Sequence, residues 1–335
     1  MMKIIGKFKQ FLKKNPLIFF MIRFIFNRIL RLVTQLVPVN EKLILYNSYG
    51  GLTKGDSPGV LYEAIRNDPA FSEHRHIWAT YSDQKDNGGR YETVKIDTVR
   101  YFLVAMRAKF WIANVNIERG FSFKKKQQTF VNTWHSIPLK KMGNAVKGRT
   151  DFDFKNIDYL IYSGEYEKKI FLEDFQANPL SLQLSLMPRN DALINFSFDS
   201  TAIKKKINIR TEKKLILFAP TWRDGDINRI SDKLTIDIEN WEKYLASNYV
   251  LLFRSHHFAK FKLDPKFRNF VIDVSNYPNI TELLAISDIL VSDYSSIFFD
   301  FALTGKPMFC YARDFENFST ERGFYVDLKS EMPNG

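Results

Sequence analysis

The stretch ISDILVSDYSSIFFDFALTGKPMFCY, Ile286 to Tyr311, reads as a buried strand, a polar loop, a helix and a second buried strand. The first apolar run ends near Val291. Ser292, Asp293, Tyr294, Ser295 and Ser296 then lead into a segment with an apolar helical face. Ser295 or Ser296 would cap that helix and leave backbone N–H groups and hydroxyls at its positive end. Such a terminus suits phosphate or pyrophosphate, although an ordinary capped helix without a ligand has the same residues.

Outward from this unit the alternation recurs along the chain. LILFAPT (215–221), YVLLFRSH (249–256), FVIDV (270–274) and MFCYA (308–312) form one series of buried strands with it. An earlier series runs through LILYN (43–47), HIWAT (76–80), FWIANV (110–115), TFVNTW (129–134) and YLIYS (159–163), with helix-like stretches at 58–66, 98–108 and 164–174. Near-continuous apolar strands alternating with helices predict parallel sheets covered on both faces. The Lys-rich stretch around 198–213 separates the two series and reads as an interdomain linker. The fold expected is therefore α/β, with Rossmann-like doubly wound domains at 41–200 and 201–335 and a ligand cleft between their strand ends. The chain closes on SEMPNG without an evident final helix, from which a continuation beyond Gly335 is expected.

A length of 335 residues fits two domains. Lys and Arg outnumber Asp and Glu by 49 to 37, a net charge of +12 that favours an anionic partner. No RRM, KH, helix-turn-helix or zinc signature accompanies the charge, so nucleic acid is not the partner expected. One cysteine, Cys310, excludes an intramolecular disulfide framework and fits a reducing, cytoplasmic setting. No small-residue cleavage pattern follows the apolar stretch 17–22.

Residues 1–40 are basic and apolar together. Arg23, Asn27, Arg31 and Thr34 share one helical face, with Phe, Ile and Leu opposite. Three arginines, Arg23, Arg28 and Arg31, argue against a membrane-spanning helix. The pattern predicts an amphipathic helix in the plane of an anionic membrane surface, reached through residues 3–39, with its cations among the headgroups. Packing against the protein's own surface is the alternative.

Several side chains are candidates for chemistry. His135 follows the strand TFVNTW and His256 follows YVLLFRS, each at a strand end and one in each inferred domain. A histidine there can take a proton from a hydroxyl or donate to a phosphoryl oxygen. Arg254, two residues before His256, and Arg223 in PTWRD are phosphate-binding candidates, each able instead to pair with a carboxylate. Glu282 stands three residues after Asn279 in a capping-box spacing, with a nucleotide ribose as the other use. Tyr49-Gly50-Gly51 after the first strand is not GxGxxG and reads as a turn. Asp151/Asp153 and Asp224/Asp226 mimic a metal-binding DxD weakly, and no protein-bound metal or other cofactor is expected.

Together WHSIPLKKMG (134–143), PRND (188–191), PTWRD (220–224), RSH (254–256), SDYSSIFFDFALTGKP (292–307) and ERGFYVDL (321–328) resemble the CDP-glycerol glycerophosphotransferase family. The likeness spans about residues 40–335. It departs where the family's glycine and threonine after the first histidine are Ser136 and Ile137. The resemblance implies a GT-B-like enzyme that moves glycerol phosphate from CDP-glycerol, a substrate rather than a cofactor, to an acceptor and releases CMP. His135 would be the base. His256 and Arg254 would hold the donor phosphates with Ser295 and Ser296, beside the separate phosphate candidate Arg223, and Asp293 would orient the loop or a ligand hydroxyl. The acceptor implied is a polyprenyl-diphosphate-linked saccharide or glycerol phosphate, met at the cytoplasmic face of a bacterial membrane by a peripheral protein. A transferase using CDP-ribitol or a nucleotide sugar is the alternative. Outside enzymes, the rival is a basic membrane- or nucleic-acid-binding module.

Overall fold

The structure, a computed structural model, describes residues 16–81, 91–150, 152–209, 211–221, 230–231, 236–255, 260–261, 264–312, 314–316 and 323–332. Its chain divides into two units. One comprises Met1–Trp134, Lys155–Ile161 and Leu180–Gln183; the other comprises His135–Phe154, Tyr162–Pro179 and Leu184–Gly335.

The first unit is built on a seven-stranded sheet of β1 (Asn40–Asn47), β2 (Arg75–Thr80), β3 (Glu92–Lys95), β4 (Ala108–Ala113), β5 (Thr129–Asn132), β6 (Tyr159–Tyr162) and β7 (Leu182–Leu184), in the order β3-β2-β1-β4-β5-β6-β7. Pairings from β3 through β6 are parallel. Central strands need apolar residues on both faces. On one face Ile44, Tyr46, Trp78 and Ile112 pack with Tyr62 of helix α2 (Asp56–Arg66). Elsewhere the Trp111 indole N–H donates to the Ala105 carbonyl of helix α3 (Val99–Arg107) at 2.8 Å, which satisfies its polar atom inside the core. All five strands expected in this half are present. The structure adds β3 and β7, short segments of mixed polarity at the two sheet edges. An edge strand has no second neighbour to demand apolar residues, so its pattern is weak.

Helix α1 (Pro16–Leu36) precedes this sheet. Its packed face carries Asn27, Leu30, Arg31 and Thr34. Leu30 and Thr34 are buried, the Asn27 side-chain Oδ1 accepts from the Ser122 N–H at 3.0 Å, and Arg31 Nε donates to the Ser122 carbonyl at 3.4 Å. Phe26 meets Phe121 with ring centroids 5.5 Å apart. Opposite, Ile25, Ile29, Leu32 and Leu36 recur at helical spacing and are 53, 49, 63 and 84% exposed. The expectation is met only in part: Asn27, Arg31 and Thr34 of the polar stripe contact the protein, the alternative foreseen for this helix, while the apolar row faces outward. Among the described residues no helix is long and apolar enough to cross a membrane.

The second unit holds a five-stranded parallel sheet of β8 (Lys214–Phe218), β9 (Tyr249–Phe253), β10 (Val271–Asp273), β11 (Ile289–Ser292) and β12 (Met308–Cys310), ordered β10-β9-β8-β11-β12. Alternate residues feed two cores. Leu215, Leu217, Val250, Leu252 and Leu290 face Leu283, Leu284, Phe298 and Phe301. Ile216, Phe218, Leu251, Phe253 and Val291 face Phe267, Phe270 and Trp241. Burial on both sides is why these strands read as unbroken apolar runs. Helices α4 (Glu165–Glu173), α6 (Ile238–Leu245), α7 (Ile280–Ile286) and α8 (Ile297–Ala302) also belong to this unit.

The Lys-rich stretch is not a bare linker. It contains α5 (Ser200–Lys206), which starts where the Asp199 carboxylate accepts from the Ala202 N–H at 3.0 Å, and it buries Ile203 and Ile209 in the second unit's core. The division also differs from a boundary near 200, because residues 135–154, 162–179 and 184–200 join the second unit. The alternation alone assigns them to the first, since their partners lie far along the chain. Ile203→Ala should destabilise the second unit by about 2–4 kcal/mol, the range for deleting buried branched side chains. Urea unfolding checks this, and a change below about 0.5 kcal/mol would mean the stretch is a linker after all.

Candidate active site

In the second sheet the strand order reverses between β8 and β11, where a doubly wound sheet opens a crevice at the carboxyl ends of its strands. Both loops leaving those strands are fastened there. Asp293 is 3% exposed, and its Oδ1 accepts from the Thr221 N–H, the Thr221 hydroxyl and the Tyr294 N–H, each at 2.7 Å. Ser292 donates its hydroxyl to the Ala219 carbonyl at 2.6 Å. Tyr294 is fully buried and donates to Asp314 at 2.9 Å. A buried carboxylate without donors would be unstable, so the three bonds account for Asp293 as an organiser of the loop.

Ser295 and Ser296 follow, both partly exposed. The Ser295 hydroxyl accepts from the Ile297 N–H at 3.3 Å, while Ser296 occupies the cap position of α8 without a side-chain cap bond to a described residue. Further along the same motif, the Lys306 ammonium donates to the Ala285 and Ser287 carbonyls at 2.8 and 2.6 Å, closing the carboxyl end of α7.

His135 lies just past β5. The Asn132 side chain accepts from the Trp134 N–H at 2.8 Å, and Trp134 adopts a left-handed backbone with φ 52°. For a bulky residue this conformation is strained by about 1–3 kcal/mol and persists only where surroundings hold it. His135 itself is partly exposed, and its carbonyl accepts from Arg189 Nη1 at 2.9 Å. The Arg189 guanidinium also meets both oxygens of Asp300 on α8, at 3.1 and 2.9 Å, and Asn190 donates to Asp300 Oδ1 at 2.6 Å. Arg189 and Asp300 are 7 and 13% exposed.

The rest of the His135 loop pairs with the segment after 322. Lys140 bridges Phe324, Lys141 donates its N–H to Gly323 at 3.1 Å, and Tyr325 donates its N–H to Leu139 at 2.9 Å. The Tyr325 hydroxyl donates to Asp174 at 2.7 Å. Gly143 ends the motif at φ 58°, where a Cβ would stand 2.5 Å from the Asp174 carbonyl oxygen, so glycine alone fits.

The remaining expected residues divide. Arg254 donates through Nη1 to the Val274 and Tyr277 carbonyls at 3.2 and 2.7 Å, bracing the loop after β10. Glu282 accepts from the Tyr277 hydroxyl and from Asn279 Nδ2 at 3.3 Å, and Asn279 caps α7 through the Thr281 N–H. That is a capping arrangement, and Lys206 lies 3.5 Å from the same carboxylate. His256 and Arg223 lie outside the described residues, as do Asp151, Asp224 and Asp226. Among the described residues no group of three His, Cys, Asp or Glu could hold a metal ion. Arg189, Asp300, Thr221 and Glu167 were not singled out from the sequence. PRND and the aspartate inside IFFDFA were the visible traces of the first two.

Glu167 on α4 is 1% exposed, and its Oε2 accepts from the Ser163 N–H at 2.7 Å. Burial pushes its carboxyl up to about 7, the nearby Asp300 charge adding to the rise and Arg189 opposing it.

A family profile described as "CDP-Glycerol:Poly(glycerophosphate) glycerophosphotransferase" matches residues 29–335. The chain belongs to this family. It is similar to the teichoic acid poly(glycerol phosphate) polymerase of Staphylococcus epidermidis, 33% identical over 317 residues covering 88% of this chain and 44% of that protein. The teichoic acid glycerol-phosphate transferase of Staphylococcus aureus is 32% identical over 88% of this chain and 80% of its own length. The solved structure of the wall teichoic acid polymerase TagF matches with a TM-score of 0.82 and 31% identity, covering 99% of this chain and 85% of that one. The family member thus spans less than half of the Staphylococcus epidermidis polymerase.

A carboxyl held protonated in the folded state stabilises it fully below the ordinary glutamate range, and that contribution is lost as pH rises through about 7. Wild type should therefore lose up to about 3 kcal/mol of unfolding free energy relative to Glu167→Gln between about pH 4.5 and 8. Urea titrations at several pH values read this difference, and parallel curves would show that Glu167 keeps an ordinary titration.

Proposed function

We propose that the chain transfers glycerol phosphate from CDP-glycerol to a hydroxyl of a membrane-linked acceptor and releases CMP, in the synthesis of teichoic acid or a related glycerol-phosphate polymer. The observation that carries this reading is the meeting of motifs distant in sequence within one unit. Residues 135–143 bond to 323–325, Arg189 bonds to His135 and Asp300, and Thr221 bonds to Asp293. A pure binding module has no need to fasten a histidine loop to a serine-rich switch-point loop.

In this reading the acceptor oxygen attacks the phosphorus that bears glycerol, in line with the departing CMP oxygen. The new P–O bond forms as the bond to CMP breaks, and His135 takes the acceptor proton. Ser295, Ser296, Arg254, His256 and Arg223 carry the donor's phosphate charge, with Asp293 holding the loop. Positioning and charge stabilisation supply most of the rate in such transfers. Glu282 serves the α7 cap first and a ribose only through that loop. The second unit, with its switch-point crevice and serine loop, receives the donor.

Attachment is peripheral, at the cytoplasmic face of the membrane, through residues 3–39. The outward row Ile25, Ile29, Leu32 and Leu36 supports this, because exposed apolar side chains of that spacing gain by entering the acyl boundary.

CMP release from CDP-glycerol with a lipid-linked disaccharide analogue tests the activity. His135→Ala should reduce it by about 10²–10⁴-fold, the range for a general base. Normal turnover in that variant would remove the base, and turnover only with CDP-ribitol or a nucleotide sugar would replace the donor. Silence with every donor would favour a binding module. For the membrane, Ile29→Glu with Leu32→Glu should weaken sedimentation with anionic vesicles by about tenfold or more, since each buried side chain contributes about 1.5–3 kcal/mol. Unchanged sedimentation would take the helix out of the attachment.

A further inference from the structure

The pair Arg189–Asp300 does more than fill the core of the second unit. One planar cation serves two unlike acceptors: the main-chain carbonyl of His135 through Nη1 at 2.9 Å, and the Asp300 carboxylate through Nη2 at 2.9 and 3.1 Å. Asp300 is held in turn by Asn190, the next residue along from Arg189, at 2.6 Å. Neither charged side chain is much exposed, at 7 and 13%, so water competes little for these bonds. The contact falls on the residue that follows Trp134, whose left-handed backbone is already strained and needs holding. Asp300 stands on α8 four residues after Ser296, so it is rigidly connected to the serine loop.

We propose that Arg189, oriented by Asp300 and Asn190, is a positioning residue that fixes the main chain of His135 relative to the serine loop 293–296. This rests on the reading of His135 as the base. A base and the phosphorus it serves must keep their separation to a fraction of an ångström, and a misplacement of about 1 Å lowers rates about 10²-fold. The two segments lie far apart in sequence, and one guanidinium spans them. Lysine keeps the charge but lacks the fork that holds a carbonyl and a carboxylate together.

The test compares Arg189→Lys and Asp300→Asn with a control pair of the first unit, Lys124 and Asp158, 2.8 Å apart with Lys124 buried. In Arg189→Lys, kcat should fall about 10- to 100-fold with KM for CDP-glycerol within about twofold of wild type. Lys124→Met, matched by its loss in Tm, should leave kcat within about twofold. A second readout needs no turnover. In protein labelled with ¹³C-histidine, the His135 ring resonance, assigned through His135→Gln, should shift or broaden in Arg189→Lys and in Asp300→Asn, while those of His74 and His76 stay. Unchanged kcat with an unmoved His135 line would overturn the proposal. So would equal losses of kcat in Lys124→Met. Should Arg189→Lys not fold, Asp300→Asn and Asn190→Ala carry the same two readouts. If wild type releases no CMP from CDP-glycerol, the functional reading fails, and the His135 resonance still decides whether the tie exists.

Discussion

A single carboxylate oxygen, Asp293 Oδ1, accepts three hydrogen bonds where the second sheet reverses its strand order. Two donors come from Thr221 after β8 and one from Tyr294 after β11. Buried at 3% exposure, this charge has no water to fall back on, so both loops must stay where their donors reach it. The position of the serine loop and the start of α8 follow from that bond set. Asp300 is carried along on α8, Arg189 follows Asp300, and the His135 carbonyl follows Arg189. Each link is short and mostly shielded, which makes the chain of contacts stiff.

His135 leaves the first sheet's fifth strand, yet its contacts belong to the second unit, through Arg189 and through the pairing of 139–141 with 323–325. Candidate base and serine loop are therefore parts of one body. In helix α1 the polar side chains divide: Asn27 and Thr34 are turned to the protein, Arg28 and Gln35 stay exposed, and the apolar row is left outside. Amphipathicity in a sequence names two faces but not which of them meets the protein.

Much of the fold was legible because it depends on local pattern. Ten apolar runs became ten strands, most clearly in the middle of each sheet, where burial on both faces leaves no alternative composition. The edge strands β3 and β7 were missed for the same reason: ETVK and LQL have a neighbour on one side only. In 198–213 the lysines hid Ile203 and Ile209, because a short helix needs few apolar residues to dock. At the site, the loop 292–296 and His135 stood out through residue type and strand-end position. Arg189 and Asp300 did not, because an arginine after a proline and an aspartate within an aromatic helix acquire meaning only as a pair.

The sequence by itself determined the parallel α/β plan, the switch-point loop with its aspartate and serines, and membership of the glycerophosphotransferase family. These rest on periodicity and on motifs, which are properties of neighbours along the chain. Only the tertiary structure decided that 135–154 joins the second unit, that Asp293 and Glu282 are engaged in holding loops and caps, and that Arg189 bridges His135 to Asp300. Those are pairings between residues as many as 186 positions apart, as between Leu139 and Tyr325. Such pairs form because burial forces each polar group to find a partner, and which partner lies in reach is set by the packing of the sheet.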